Sequence, residues 1–217
     1  MHISEGILPA KICLMGYGIT GLATWYSLHK IHHQPNPTAG IPKAALLTAA
    51  FFVASSIHIP IPPASVHLVL NGLLGAVLGY YAFPAILVGL LFQAIMFGHG
   101  GLSTLGINGV IMGVPAMLAA QIFMLHHPMR RQINSTFSLN LFAFLAGAVG
   151  LGLAAVLFFT ITILNLPSGL DQATEKTAIY GLMIAHIPLM IIEGIFTVMV
   201  VNFLQRVKPE LLKLNQD

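Results

Sequence analysis

The chain has 217 residues, of which 57% are hydrophobic and only 7% are charged. Soluble domains carry charge on about a quarter of their residues, so this composition excludes a water-facing surface and indicates an integral membrane protein. The single cysteine, Cys13, excludes an intrachain disulfide and a cysteine-rich metal cluster. The net charge of +3 comes from basic residues at loop positions, a pattern that does not indicate nucleic-acid binding.

Seven apolar stretches are candidate membrane-spanning helices, since a span needs about 20 mostly apolar residues. They are predicted at Ile12–Leu28, Ala44–Ile57, Val66–Tyr81, Ala85–Gly98, Gly109–Leu125, Leu139–Leu164 and Ala178–Leu204. Only a tight connection separates the third stretch from the fourth, so six spans with one re-entrant segment is the alternative. The predicted fold class is therefore all-α, a polytopic membrane bundle of seven transmembrane helices that forms a single domain over residues 1–217.

The basic residues predict the orientation of the bundle, because cytoplasmic loops collect Lys and Arg. Seven of the nine lie in three regions that seven spans place on one side: Lys30, Lys43, Arg130, Arg131, Arg206, Lys208 and Lys213. We therefore expect the N-terminus outside and the C-terminus in the cytoplasm. No signal-peptide pattern precedes the first span, so we expect the chain to keep its own N-terminus.

This orientation divides the ten histidines into two groups of five. We interpret the cytoplasmic group as ordinary interfacial loop residues: His29, His32, His33, His126 and His127. The second group lies outside or in the outer part of a span: His2, His58, His67, His99 and His186. Ionisable groups in spans are costly and usually face a cavity or a partner, so the outer group marks the candidate functional site.

His2 has metal-binding chemistry of its own. A chain that begins X-His offers the α-amine of Met1, the amide nitrogen of His2 and its Nδ1 as three adjacent donors. A deprotonated amide favours nitrogen-rich square-planar coordination, hence Ni²⁺ or Cu²⁺, with Co²⁺ as a further candidate. Binding would release the protons of the amine and the amide.

A fourth donor must come from another outer segment. We rank His67 first, because the pattern places it at the start of a helix with Asn71 one turn below on the same face. His99, in the glycine-rich stretch FGHGG, and His58 are the other candidates. Asn71 is a candidate for the surroundings of the metal.

Two other features leave alternatives open. Glu193 follows His186 by seven residues on one predicted helix face, which predicts a buried hydrogen-bonded pair or an ion path. Small residues four apart, as in Gly75/Gly79, Gly109/Gly113 and Ala45/Ala49, favour close helix packing within the bundle or against a membrane partner. Hydrolase and phosphate-binding motifs are absent from the sequence, which favours transport over catalysis.

Three segments carry a family resemblance: MHISEGILP, IPIPPASVHLVLNGLLGAVLG and LLFQAIMFGHGGLSTLGINGVIMG. In this order they resemble the substrate-capture subunit of energy-coupling-factor cobalt/nickel importers, the CbiM/NikM family. The resemblance implies a seven-helix capture subunit that is not an enzyme and has no permanent cofactor. It implies that Met1, His2 and His67 hold Co²⁺ or Ni²⁺ as the transported substrate, and the donor set does not separate the two metals.

The resemblance also implies that the chain lies in the prokaryotic inner (plasma) membrane, surrounded by the lipid bilayer. It implies three kinds of partner: a transmembrane coupling subunit, a pair of cytoplasmic ATPase subunits and a small accessory membrane protein. The alternative function is a self-sufficient channel or secondary transporter for divalent transition metals. In that reading, Glu193 and His186 form a proton-coupled path.

Overall fold

The computed structural model describes residues 1–61, 64–129, 134–166 and 172–213. In this part of the chain there are nine α-helices, one short 3₁₀ turn (Gly79–Tyr81) and one small antiparallel hairpin, in which His58 lies opposite His67. The elements are α1 (Ala10–His32), α2 (Ile41–Ala54), β1 (His58–Ile61), β2 (Ala64–His67), α3 (Asn71–Leu78), α4 (Ala82–Phe97), α5 (Leu105–Met124), α6 (His126–Met129), α7 (Ser135–Leu164), α8 (Gln172–Val207) and α9 (Glu210–Lys213).

The helices have the length and composition of a multi-pass membrane protein. Among the described residues, four segments are long and apolar enough to cross a bilayer: Asn71–Phe97, Leu105–Met129, Ser135–Leu164 and Ala173–Val207. Helix α2 is shorter but apolar, and α1, with 23 residues, is about 34 Å long at 1.5 Å per residue. The predicted helical membrane fold is confirmed, whereas the number of seven spans and the sides of the two termini stay predictions.

The third predicted span is wrong as a single helix over Val66–Tyr81. His67 ends strand β2, and α3 begins only at Asn71. Between them, Leu70 has a left-handed backbone with φ of 57°, and the Glu193 carboxylate accepts the N–H groups of Val69 and Leu70. These interactions hold the segment out of helical geometry, and a local pattern cannot show them because Glu193 lies in α8.

Small residues let α3, α5 and α7 pack with their backbones in contact. A Cβ added to Gly150 would lie 2.6 Å from the Cα of Gly72, and one added to Gly113 would lie 2.6 Å from the Phe83 ring. A Cβ added to Gly75 in α3 would clash with the backbone carbonyl of Ala116 in α5. The glycine pattern therefore acts within the bundle, whereas Ala45 and Ala49 line an open apolar groove between α1, α2 and α4.

A buried lysine joins three elements at the end of the bundle far from Met1. Lys43, at the start of α2, donates from Nζ to the carbonyls of Val77 and Leu211, each at 2.6 Å. Nearby, the Tyr81 hydroxyl donates to the carbonyl of Pro37 at 2.7 Å. Helix α3 therefore lies between the two features: its first turn follows His67, and its last turn contacts Lys43.

Candidate metal centre

The first residues of the chain dock into the bundle. Met1 and Ile3 are buried, with 8% and 1% of their surface exposed. The N–H of Ile3 donates to Asn108 Oδ1 at 2.9 Å, and its carbonyl accepts bonds from Asn108 Nδ2 at 3.1 Å and from the Thr104 hydroxyl at 2.8 Å. Both backbone groups of Ile3 are thus held at the start of α5, which fixes the position of the two residues before it.

The loop after α4 closes over this segment at a glycine. Gly100 has a φ of +82°, and a Cβ there would lie 2.8 Å from Asn108 Nδ2 and 3.7 Å from the carbonyl oxygen of Ile3. A side chain would therefore be strained by the backbone conformation and would press on the group that holds Ile3. Glycine lets the loop that carries His99 approach the chain end.

The Met1 amine meets His67 in this enclosed space, 2.8 Å from its Nε2. The His67 ring donates from Nδ1 to the carbonyl of Leu68 at 3.0 Å, so Nε2 carries the lone pair that accepts the amine N–H. Two nitrogens at adjacent corners of a square plane, each about 2.0 Å from a metal ion, are about 2.8 Å apart. The spacing of these two nitrogens therefore suits neighbouring ligands of one ion.

The tautomer of His2 follows from a hydrogen bond with Gln93. His2 Nε2 lies 2.8 Å from Gln93 Oε1, and the amide of Gln93 is oriented by its donation from Nε2 to the carbonyl of Phe51 at 3.3 Å. Because an amide oxygen only accepts, the His2 proton is on Nε2 and the lone pair is on Nδ1. Nδ1 is the nitrogen that can chelate together with the amide of the same residue.

Burial keeps the amine and the imidazole in their neutral forms. It lowers the pKa of the Met1 amine from 8.0 to about 5, against the opposing charge of Glu193. Burial also lowers the pKa of His2, and the nearby amine and His67 lower it further, whereas the hydrogen bond that His2 donates to Gln93 raises it. At neutral pH both groups therefore present lone pairs rather than protons to a cation.

Of the predicted site residues, Met1, His2, His67 and His99 come together. The His2 ring centroid lies 5.3 Å from that of His67 and 5.7 Å from that of His99, and the His67 and His99 centroids are 6.4 Å apart. Within the described ranges, no three His, Cys, Asp or Glu side chains are gathered to hold a metal ion. A metal centre here therefore depends on the amine and amide nitrogens as well.

Asn71 lies outside this cluster. Its Nδ2 donates to the carbonyls of Met112 and Gly150, and its Oδ1 accepts the N–H of Gly72. The prediction that it shares a helix face with His67 is wrong, because His67 ends a strand and α3 begins only at Asn71. The side chain of His58 lies outside the described residues; its backbone is opposite His67 in the hairpin.

The predicted pair of Glu193 and His186 does not form. The Glu193 carboxylate holds the backbone between β2 and α3, and His186 donates from Nδ1 to the carbonyl of Leu182 at 2.7 Å. The carboxylate instead positions the segment that immediately follows His67. The prediction is wrong because two backbone N–H groups, which a helical-wheel argument cannot see, occupy the carboxylate.

Sequence reasoning missed three side chains that position the chain end: Gln93, Thr104 and Asn108. Gln93 and Asn108 lie in apolar helices, and all three residues are at most 2% exposed. An isolated polar residue in an apolar segment usually has a specific partner. That signal was present in the sequence for Gln93 and Asn108, although it does not identify the partner.

Comparisons with known proteins find relatives that are named for the transport of metals. The family model of the cobalt uptake substrate-specific transmembrane region, CbiM, matches residues 2–211. A Haemophilus influenzae protein named for metal transport is 34% identical and aligns with 100% of this chain and 99% of its own length. The cobalt transport protein CbiM of Desulforamulus reducens is 30% identical, over 97% of this chain and 84% of its own length.

Two further comparisons concern assembly and fold. A fused cobalt transport protein, CbiMQ, of Methanocorpusculum labreanum is 31% identical over 97% of this chain, which covers 36% of that longer protein. The crystal structure of a truncated transition metal transporter superposes with a TM-score of 0.74 at 25% identity and covers 95% of this chain and 99% of its own.

Proposed function

The chain belongs to the CbiM family of cobalt-uptake transmembrane proteins, and on this premise we propose how it captures its substrate. It is a multi-pass integral protein of the plasma membrane, in a family that serves metal uptake. We propose that it is the metal-capturing subunit of an ATP-driven energy-coupling-factor importer and that Co²⁺ or Ni²⁺ is its substrate.

In this proposal, the metal is held by four nitrogens. They are the Met1 amine, the deprotonated amide nitrogen and Nδ1 of His2, and His67 Nε2. The observation that carries the proposal is the 2.8 Å separation of the Met1 amine and His67 Nε2, beside a His2 ring whose other nitrogen is bonded to Gln93. The His99 ring lies beside the rings of His2 and His67 and is not one of the four proposed ligands.

The orientation and partners are also part of the proposal. The docked N-terminus faces the outside, and the end that contains Lys43 and Leu211 faces the cytoplasm, in accordance with the distribution of basic residues. ATP hydrolysis takes place in separate cytoplasmic subunits, and a coupling subunit together with a small accessory membrane protein completes the complex. The fused relative supports association with further transport components.

A binding experiment on the purified protein tests this mechanism. The chain carries any tag at its C-terminus, and Ni²⁺ and Co²⁺ are titrated against a competing chelator. We expect one metal per chain, and a loss of affinity greater than about 100-fold in His2→Ala, in His67→Ala and in a chain with one extra residue before Met1, since even outer-shell changes lower affinity about 10–100-fold. His32→Ala, on the exposed C-terminal turn of α1, is the matched control. Stoichiometric binding by the extended chain would refute the chelate.

A vesicle experiment separates the proposal from the self-sufficient transporter. We expect no metal uptake into vesicles that contain this chain alone, because the proposed ATPase subunits are missing. Uptake by the chain alone that disappears in Glu193→Ala would favour a proton-coupled carrier instead. In the structure, Glu193 binds backbone N–H groups, so its loss should impair the binding site first.

A further inference from the structure

His186 is a buried histidine with an unused nitrogen. It lies in α8 with 3% of its surface exposed, and its Nδ1 donates to the carbonyl of Leu182. The tautomer is thereby fixed, and Nε2 carries a lone pair. Nε2 has no hydrogen-bond partner among the residues that the structure describes. Buried polar atoms in native proteins almost always have partners, so an exception points to a ligand or a second state.

The surroundings of His186 connect it with the chain end. A small cavity of about 10 Å³ between α7 and α8 is lined by Met1 and by His186, together with three apolar residues of α7 and three of α8: Ala155, Phe158, Phe159, Ile179, Leu182 and Met183. This volume is about the minimum needed for one water molecule. His186 is thus the titratable side chain lining a cavity that also reaches Met1.

Metal capture changes the hydrogen bonds that the Met1 amine can make. In the metal-free protein the amine donates an N–H to His67 Nε2, so this N–H occupies the lone pair of Nε2. A metal ion that binds both nitrogens needs both lone pairs, and this hydrogen bond must break. The bound amine keeps two N–H groups in a buried space, where an unsatisfied donor is costly.

We infer that His186 is a positioning residue for the metal-bound amine. Its Nε2 accepts an N–H of Met1, directly or through one water molecule in the shared cavity, when that N–H turns away from His67. This contact orients the amine so that its lone pair points at the metal, as the hydrogen-bond partners of metal ligands generally do. The inference rests on the proposed function, because it names a partner of one of the proposed ligands.

The test uses the full chain with an unmodified N-terminus and Ni²⁺ as the probe. His186→Phe removes the acceptor, His186→Gln keeps an acceptor, and Met183→Leu changes the same cavity without removing a hydrogen bond. We expect His186→Phe to lower Ni²⁺ affinity about 10–100-fold and to shift the visible absorption of the planar Ni²⁺ centre. His186→Gln should restore most of both, and Met183→Leu should match the wild type.

The outcomes separate the inference from the proposed function. Wild-type affinity and an unchanged absorption band in folded His186→Phe would overturn the role of His186 and leave the metal site intact. Absence of stoichiometric Ni²⁺ binding in the wild type would overturn the proposed function itself. If His186→Phe does not fold, ¹⁵N-histidine NMR of the wild type decides, because the His186 Nε2 resonance must move when diamagnetic planar Ni²⁺ binds. An unchanged resonance refutes the inference.

Discussion

Gln93 should control metal affinity without touching the metal. Gln93→Leu removes the acceptor of the His2 Nε2–H. When Nδ1 binds a metal, the proton must stay on Nε2, and a buried N–H without an acceptor costs about 1–3 kcal/mol. In the metal-free protein the proton can move to Nδ1, so this cost falls mainly on the bound state. At about 1.4 kcal/mol per tenfold, we expect affinity to drop about 5- to 140-fold.

Calorimetric titration of Ni²⁺ against a competing chelator measures this drop. Gln93→Glu keeps an acceptor at the same position and should retain binding, because a carboxylate also accepts the Nε2–H. Gln121→Leu, on the exposed face of α5, is the matched control and should leave affinity unchanged. The loss of the Gln93 bond to Phe51 affects folding and is followed separately by thermal melting. Wild-type Ni²⁺ affinity in folded Gln93→Leu would refute the tautomer argument.

Three further changes test other parts of the structure. Gly100→Ala should lower the free energy of unfolding by about 1–3 kcal/mol, because the residue has φ of +82° and its Cβ would press on Asn108; an unchanged melting temperature would contradict this. Glu193→Ala leaves two buried backbone N–H groups without their acceptor, and about 2 kcal/mol or more of stability should be lost. Glu193→Gln should be intermediate in chemical denaturation, and equal stability of the two variants would argue against the contact. The docked amine has its pKa lowered from 8.0 to about 5, and the undocked amine takes up a proton as the pH falls from 8 to 5, so docking of Met1 should weaken over this range. At pH 7 metal binding should release one proton, from the amide. Calorimetry in buffers of different ionisation enthalpy counts the released protons, and a count of two protons would show that the amine is charged.

The reliable parts of the sequence prediction rest on local properties. The predicted stretches that became α4, α5, α7 and α8 are all apolar runs, and each overlaps its helix with ends displaced by a few residues. The prediction of a chelate at Met1 and His2 also rests on local properties, because its three nitrogen donors lie within two consecutive residues, and it stays a prediction. The helix predictions and the chelate prediction both use neighbouring residues only, so neither depends on how the rest of the chain packs.

The errors of the sequence prediction arise where distant residues compete with the local pattern. The stretch after His67 looks helical, yet Glu193 binds its N–H groups from 123 residues away and delays the helix to Asn71. Because these N–H groups occupy the Glu193 carboxylate, it does not form the expected pair with His186. In the first case, buried hydrogen bonds to a carboxylate outweigh the helix propensity of the segment, and in the second they take the place of a bond to His186.

The sequence alone determined that the solvent is lipid, that the fold is helical, and that the first two residues carry three adjacent nitrogen donors. Composition and adjacent donors are properties of a linear chain and need no packing to be read. The tertiary structure decided which histidine meets the Met1 amine and, through Gln93, which nitrogen of His2 carries its lone pair. Those outcomes depend on hydrogen bonds across 66 and 91 residues, whose partners become neighbours only when the helices pack.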